Sequence, residues 1–159
     1  MGSEQIYNFR KISDDVITGG HPTEGNLRDV ADEGYDAVVN LAPVDGRSLP
    51  DEAGFVGGLG MGYHHIPVAW DAPTADDFAA FESTLDGLAG GRILIHCAAN
   101  FRVTAFYSLY AQKHLGWSVD RARELRSSIW DGSDYPIWNA FIDSTERAIS
   151  ARASREDNA

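Results

Sequence analysis

The one cysteine of the chain, Cys97, opens a stretch whose residue types could bind an anion. It follows the apolar run Ile93–His96 and precedes a segment with helical spacing. A turn between a strand and a helix directs several backbone N–H groups into one small space, where the helix dipole adds partial positive charge. Because that field favours a thiolate, the pattern indicates a nucleophilic cysteine rather than a buried packing cysteine.

The residues that follow the cysteine suit such a loop. Arg102 offers a forked guanidinium that can hold two oxygens of a phosphate or sulfate. Asn100 is, after glycine, the residue type that best tolerates the left-handed backbone of a tight turn. Two alanines directly after the cysteine keep the rim of the loop open. The expected phosphate-binding residues of the loop are Ala98, Ala99, Asn100, Phe101 and Arg102.

Short apolar runs alternate along the chain with segments of helical periodicity. Strands are predicted at Ile6–Ile12, Val16–Thr18, Asp36–Leu41, Tyr63–Ile66 and Arg92–His96. Helices are predicted at 23–33, 50–59, 74–88, 103–114, 119–128 and 135–151. This alternation predicts one α/β domain, with a central, mainly parallel sheet of four or five strands flanked by helices.

The predicted sheet places the cysteine at an edge where ligands bind. Ligands of parallel sheets lie at the carboxyl ends of the strands, and Cys97 follows directly on one such end. Thr23 is expected to cap the first helix, and Thr74 with Asp77 resembles a capping box at the start of the third. His21, in the turn between the second strand and the first helix, is expected to line the pocket.

The loop resembles the phosphate-binding loop of cysteine-based protein tyrosine and dual-specificity phosphatases. The resemblance rests on HCAANFRVT: a histidine before the cysteine, a turn residue three positions after it, then an arginine and a threonine. In that family five residues separate cysteine from arginine, whereas four separate Cys97 from Arg102. Val103 takes the arginine's place, so Arg102 is rotated by about 100° on the helix. Either the loop is one residue tighter, or the Arg102 side chain points partly elsewhere.

The resemblance extends over residues 5–145 and is strongest to a bacterial branch of dual-specificity-like phosphatases. It is carried by ITGGHPTEGNLRDVADEGYDAVVNLAP and YHHIPVAWDAPTADDF as well as by the loop. It implies a cysteine-phosphatase fold and hydrolysis of phosphomonoesters, phosphotyrosine or similar, through a phosphocysteine, without metal or organic cofactor. It further implies that Cys97 is the nucleophile, that Thr104 bonds the departing sulfur, and that His96 holds the loop and thiolate in place.

Asp71 is the candidate proton donor. It follows a strand end, precedes Pro73, which stiffens the loop, and sits where dual-specificity phosphatases carry their mobile acid. Cleavage of a phosphoester needs an acid for the leaving oxygen, whereas sulfur transfer does not, so this residue favours a phosphatase. Asp76 and Asp77 are rival acids, but they fit better as first-turn charges of a helix.

Two other functions stay open at this stage. The spacing between cysteine and arginine also resembles the active loops of rhodanese-like sulfurtransferases, in which the cysteine carries a persulfide. A loop whose arginine does not reach the transition state would be a non-catalytic phosphate-binding module. His64 and His65 are adjacent on a strand and face opposite sides, so they do not predict a metal site.

Charge and composition limit the partners. A formal net charge of −11 and a sequence pI of ≈ 4.7 argue against nucleic acids and anionic membranes, so an anion must be held by locally focused positive potential. We find no apolar window of about 18 residues and no signal peptide. The expectation is a cytoplasmic domain at 5–151, with flexible termini at 1–4 and 152–159, that binds a phosphorylated protein or small molecule.

Overall fold

Strands and helices alternate along the part of the chain that the computed structural model describes, residues 2–157. The strands are β1 Arg10–Lys11, β2 Val16–Gly19, β3 Ala37–Asn40, β4 Gly62–His65 and β5 Ile93–His96. The α-helices are α1 Glu24–Asp32, α2 Glu52–Gly58, α3 Ala75–Gly87, α4 Phe101–His114, α5 Val119–Ser127 and α6 Pro136–Asp157. Short 3-10 helices lie at Ser3–Gln5 and Gly132–Asp134.

The strands form a single sheet in the order β1-β2-β5-β3-β4. Only the edge strand β1 is antiparallel to its neighbour, and the other pairings are parallel. The sheet and its helices confirm the predicted α/β architecture. In the register of the parallel strands, Gly19 and Asn40 pair with His96, and Asn40 pairs with His65. All four parallel strands therefore end at the same level, directly below the loop that begins at Cys97.

Apolar side chains alternate between two cores, one on each face of the sheet. Val39 and Ile95 point to the face covered by α3, α4 and α6, where Phe81 and Phe106 are fully buried. Val38 and Leu94 point to the opposite face, against α1 and α2. The central strands of a parallel sheet that is covered on both faces have no exposed residues. Every residue of β3 and β5 is buried, as this arrangement requires.

The predicted caps are present. The Thr23 hydroxyl accepts from the backbone N–H of Asn26, and the Asn26 side chain accepts from the backbone N–H of Thr23. Thr74 and Asp77 form the same reciprocal pair at the start of α3. Each cap satisfies two backbone donors that a helix N-terminus otherwise leaves unpaired.

The element boundaries differ from the expectation by at most two residues at most elements, and by more at the first strand and at the end of α6. The predicted strand Ile6–Ile12 is reduced to β1 because Asn8 has a left-handed backbone (φ 53°), which ends an extended run. α4 begins two residues earlier than predicted, and α6 continues to Asp157.

The N-terminal segment is tied to the fold through Ser3. Ser3 is buried, and its backbone N–H and hydroxyl donate to the Glu33 carboxylate at 2.7 and 2.6 Å. The domain limits at 5 and 151 stay a prediction, and residues 1, 158 and 159 lie outside the described part. Within residues 2–157, none of the helices combines the length and apolar character needed to cross a membrane.

Candidate active site

The site is built from four loops that leave the aligned ends of the parallel strands. They comprise residues 20–23 after β2, 41–51 after β3, 66–74 after β4 and 97–100 after β5. Because β5 lies between β2 and β3, the loop that begins at Cys97 is flanked on both sides. The sequence predictions His21, Asp71 and Cys97 thus all lie on loops at one edge of the sheet.

The loop after β5 makes the left-handed turn that the sequence predicts. Asn100 has φ 69°, and α4 begins at the next residue. The hydrogen bonds found within residues 2–157 include none donated by the backbone N–H of five residues of this turn, namely Ala98, Ala99, Phe101, Arg102 and Val103. An α-helix leaves its first N–H groups unpaired, and here two N–H groups of the preceding turn join them, so this cluster of donors is suited to an anion. No acidic residue lies in the first turn of α4 to oppose that charge.

Cys97 lies at the base of this turn. Its side chain is fully buried among the residues of the core under α4, and its backbone N–H donates to the carbonyl oxygen of Gly19 at 3.2 Å. Burial by itself would also fit a packing cysteine. The unpaired donors of the residues that follow are what distinguish Cys97 from such a cysteine.

Contacts from the N-terminal part of the chain clamp the loop. The Asn8 side chain donates to the carbonyl oxygen of Ala99 at 3.0 Å, and the Asn100 side chain donates to that of Asn8 at 2.8 Å. The Asn100 side chain also donates to the Thr18 hydroxyl at 2.9 Å. Gly20 passes so close that a Cβ there would lie 2.5 Å from the Ala98 carbonyl oxygen. The loop therefore keeps its shape through contacts that leave its inner N–H groups free.

Arg102 points partly towards the neighbouring loop, which is one of the two outcomes that its spacing allowed. Its Nη1 donates to the carbonyl oxygen of Val68 at 2.9 Å, and its guanidinium carbon lies 5.7 Å from the centre of the Trp70 ring. Its Nε is buried and has no hydrogen-bond partner. Val103, at the position of the family's arginine, is fully buried in the core. A buried donor without a partner costs about 1–3 kcal/mol, and an anion in the loop would remove that cost.

Aromatic side chains fix the loop after β4 against the start of α4. The Trp70 ring lies 5.9 Å from that of Phe101 and stacks on Trp138 at 5.4 Å, and the Trp138 indole N–H donates to the Trp70 carbonyl oxygen at 2.6 Å. Asp71, the next residue, is exposed. The structure thus carries Asp71 on a loop whose neighbouring residues contact Arg102, and its role as an acid stays a prediction.

Thr104 makes contacts other than the predicted bond to sulfur. Its hydroxyl is buried, lies 2.9 Å from the carbonyl oxygen of Asn100 and 3.1 Å from that of Phe101, and accepts from the indole N–H of Trp130 at 3.0 Å. A hydroxyl has one proton to donate, and here a backbone carbonyl takes it. In this structure Thr104 holds the turn, and its assistance to phosphocysteine hydrolysis stays a prediction.

His96 is joined to the loop and to a buried carboxylate. Its ring is fully buried, with Nε2 2.7 Å from a carboxylate oxygen of Glu52 and Nδ1 3.2 Å from the carbonyl oxygen of Cys97. Glu52 is 6% exposed and is the first residue of α2, which Asp51 caps. His96 therefore contacts the backbone of the cysteine rather than its sulfur.

His21 lies on the other side of the loop. Its backbone N–H donates to the Ala98 carbonyl oxygen at 3.0 Å, and its ring lies 6.1 Å from that of His96. Both ring nitrogens are buried without a hydrogen-bond partner. Burial, and then the facing His96, lower the pKa of His21, so its imidazole is neutral at neutral pH.

Within residues 2–157, no group of three or more His, Cys, Asp or Glu side chains is placed to share a metal ion. His65 instead bonds the carbonyl oxygen of Ala42 through Nε2 at 2.7 Å.

Comparison with solved structures places this chain in a known family. The crystal structure named "Putative phosphatase (DUF442)" from Shewanella putrefaciens CN-32 has a TM-score of 0.84 and 30% sequence identity. The match covers 90% of this chain and 91% of that chain. The chain belongs to this family of cysteine-based phosphatases.

More distant phosphatases share the fold. Tk-PTP in its active form is 21% identical, with a TM-score of 0.73 over 88% of this chain and 97% of that chain. TpbA of P. aeruginosa is 18% identical, with a TM-score of 0.70 over 91% of each chain. No model of a protein family matches the sequence, and no curated protein is similar to it at a significant level.

The structure adds residues to this candidate site that sequence reasoning missed. Glu52 was an ordinary acidic residue at the start of a predicted helix, and Asn8 lay inside a predicted strand. Val68 takes part through its backbone carbonyl. Because each meets the loop through a contact between distant parts of the chain, no local pattern could have indicated it.

Proposed function

We propose that this chain hydrolyses phosphomonoesters, phosphotyrosine or similar, through a phosphocysteine at Cys97. The observation that carries the proposal is the group of unpaired backbone N–H donors that follows Cys97 at the start of α4. The unpaired Nε of Arg102 lies on the same turn and adds a charged donor. Membership in the phosphatase family agrees with this chemistry.

In the first step, the Cys97 thiolate forms a bond to phosphorus while the bond from phosphorus to the leaving oxygen breaks. The loop N–H groups and the guanidinium of Arg102 stabilise the equatorial oxygens, where negative charge accumulates. Asp71 gives its proton to the leaving oxygen.

In the second step, water attacks the phosphocysteine and Asp71 takes up a proton from it. The sulfur–phosphorus bond breaks, which returns the thiolate and releases inorganic phosphate. Thr104 would assist by bonding the departing sulfur, which requires its hydroxyl to rotate away from the carbonyl of Asn100. His96 holds the backbone of Cys97 in place during both steps.

An aromatic substrate suits the edge of the loop. Trp70 and Phe101 are partly exposed beside Arg102 and offer ring surfaces to a phenyl group. A structure of P. aeruginosa TpbA, 18% identical to this chain, was determined in complex with pTyr. We therefore extend the proposal to phosphotyrosine as the first substrate to test.

The test compares the wild-type chain with Cys97→Ser in the release of p-nitrophenol from p-nitrophenyl phosphate. Loss of the nucleophile should lower kcat/KM by at least about 10³-fold. The melting temperature of the variant serves as the control for folding. Full activity of Cys97→Ser would refute the mechanism.

A second assay on the same protein separates the other two functions. Formation of thiocyanate from thiosulfate and cyanide, without release of p-nitrophenol, would identify a sulfurtransferase instead. Activity in neither assay, with inorganic phosphate bound to the wild-type chain, would identify a binding module.

A further inference from the structure

Glu52 is a buried acidic residue that has no role in the proposed reaction. Its carboxylate is 5% exposed and lies 2.7 Å from Nε2 of His96. The Tyr63 hydroxyl accepts from the Asn40 side chain at 3.0 Å, and burial, with a smaller contribution from the charge of Glu52, raises the pKa of Tyr63. A buried carboxylate is stable only when it is paired and hydrogen-bonded, and His96 is the partner of Glu52 in this structure.

Hydrogen-bond chemistry determines how many protons this pair carries. The carbonyl oxygen of Cys97 can only accept, so Nδ1 of His96 carries a proton in the bond between them. A second proton must lie between Nε2 and the Glu52 carboxylate, since two acceptors would repel at 2.7 Å. The proposal places it on His96, because an imidazole nitrogen is a stronger base than a carboxylate oxygen. The pair is an imidazolium and a carboxylate.

The positive member of the pair faces the nucleophilic loop. Nδ1–H of the imidazolium binds the carbonyl of the peptide between Cys97 and Ala98, and the N–H of that same peptide is one of the unpaired donors of the loop. A charged donor on a carbonyl polarises the peptide and strengthens its N–H as a donor in turn.

We propose that Glu52 is a positioning residue, which keeps His96 protonated so that the peptide between Cys97 and Ala98 stabilises negative charge at the loop. The inference rests on the proposed function of Cys97 as a nucleophile. Glu52 does not touch the substrate in this scheme and acts only through His96.

The charges of the pair determine in which direction the removal of Glu52 shifts the pH at which the Cys97 thiol ionises. If Glu52→Gln converts an imidazolium and a carboxylate into two neutral groups, the positive charge nearest to Cys97 is lost, and the thiol should ionise at higher pH. If His96 were already neutral, the same substitution would remove only a negative charge, and the thiol would ionise at lower pH. The other ionisable groups that interact with the pair are His21 on the loop after β2 and Tyr63 on β4, and Asp45 and Arg47 interact with His21 in turn. All four are present in both proteins.

The experiment follows the absorbance of the thiolate near 240 nm against pH in the full chain. Subtracting the absorbance of Cys97→Ser removes the contribution of the tyrosines. Cys97 is the only cysteine, so the difference reports this thiol alone. Glu52→Gln should raise the midpoint by about half a pH unit, equal to an about threefold loss of thiolate below the midpoint. Glu82→Gln is the matched control, because Glu82 also bonds a histidine, His114, at the far end of α4 and should leave the midpoint unchanged.

An unchanged or lowered midpoint in Glu52→Gln would overturn the proposal. A measurement on the wild-type chain does not depend on the folding of any variant: the ¹⁵N resonances of the His96 ring, assigned through bonds from its backbone, should show both ring nitrogens protonated over the pH range of the thiolate titration. A neutral ring in that range would equally overturn the proposal. Both readouts need no turnover, so a chain that fails to hydrolyse phosphoesters refutes the proposed function without deciding the role of Glu52.

Discussion

Replacing Asn100 tests how the loop after Cys97 keeps its shape. Asn100 has a left-handed backbone (φ 69°), for which glycine is the least strained residue. Reasoning from the backbone alone therefore predicts that Asn100→Gly stabilises the protein. The side chain argues for the opposite sign, because it is fully buried and donates to the Asn8 carbonyl and the Thr18 hydroxyl at 2.8 and 2.9 Å.

The size of the effect follows from these contacts. Two acceptors left without their donor cost about 3 kcal/mol together, and removal of the unpaired Asn100 Oδ1 returns about 1 kcal/mol. Asn100→Ala adds about 1 kcal/mol, because alanine tolerates the left-handed region less well than asparagine. We expect the free energy of unfolding to fall by about 2 kcal/mol in Asn100→Gly and by about 3 kcal/mol in Asn100→Ala.

Chemical denaturation of the three proteins measures these differences directly. In a chain of 159 residues they correspond to losses in Tm of about 6 and about 9 °C. Stability of Asn100→Gly equal to or above that of the wild type would refute the reasoning, since it would mean that the clamp to Asn8 and Thr18 contributes nothing.

Two further predictions concern proton transfer and pH. Asp71→Asn should lower kcat for phenyl phosphate by about 10²-fold and kcat for p-nitrophenyl phosphate far less, because phenolate is the poorer leaving group and needs a proton donor. Asp76→Asn is the control, and equal losses on both substrates would contradict the role of Asp71 as the proton donor. The pKa of His21 is lowered in the fold, so the unfolded chain takes up its proton first as the pH falls below about 6.5, and stability declines with falling pH. His21→Gln should flatten this decline between pH 7.5 and 5.5 in denaturation curves, and an unaltered slope would contradict it.

Features set by neighbouring residues could be predicted from the sequence. The strand that ends at His96, the left-handed turn at Asn100 and the helix that follows depend on residues within a few positions of one another, as do the capping boxes at Thr23 and Thr74. Periodicity was sufficient for the mainly parallel sheet, because a strand buried on both sides has a continuous apolar sequence.

Distant contacts required the tertiary structure. The strand order places β5 between β2 and β3, and no local pattern records that order. It brings Glu52 to His96 across 44 positions and Asn100 to Asn8 across 92. The direction of the Arg102 side chain was likewise decided by a carbonyl 34 positions away, on Val68. The sequence alone determined the chemical groups and the turn that displays them, whereas packing between separate segments decided which partner each group contacts.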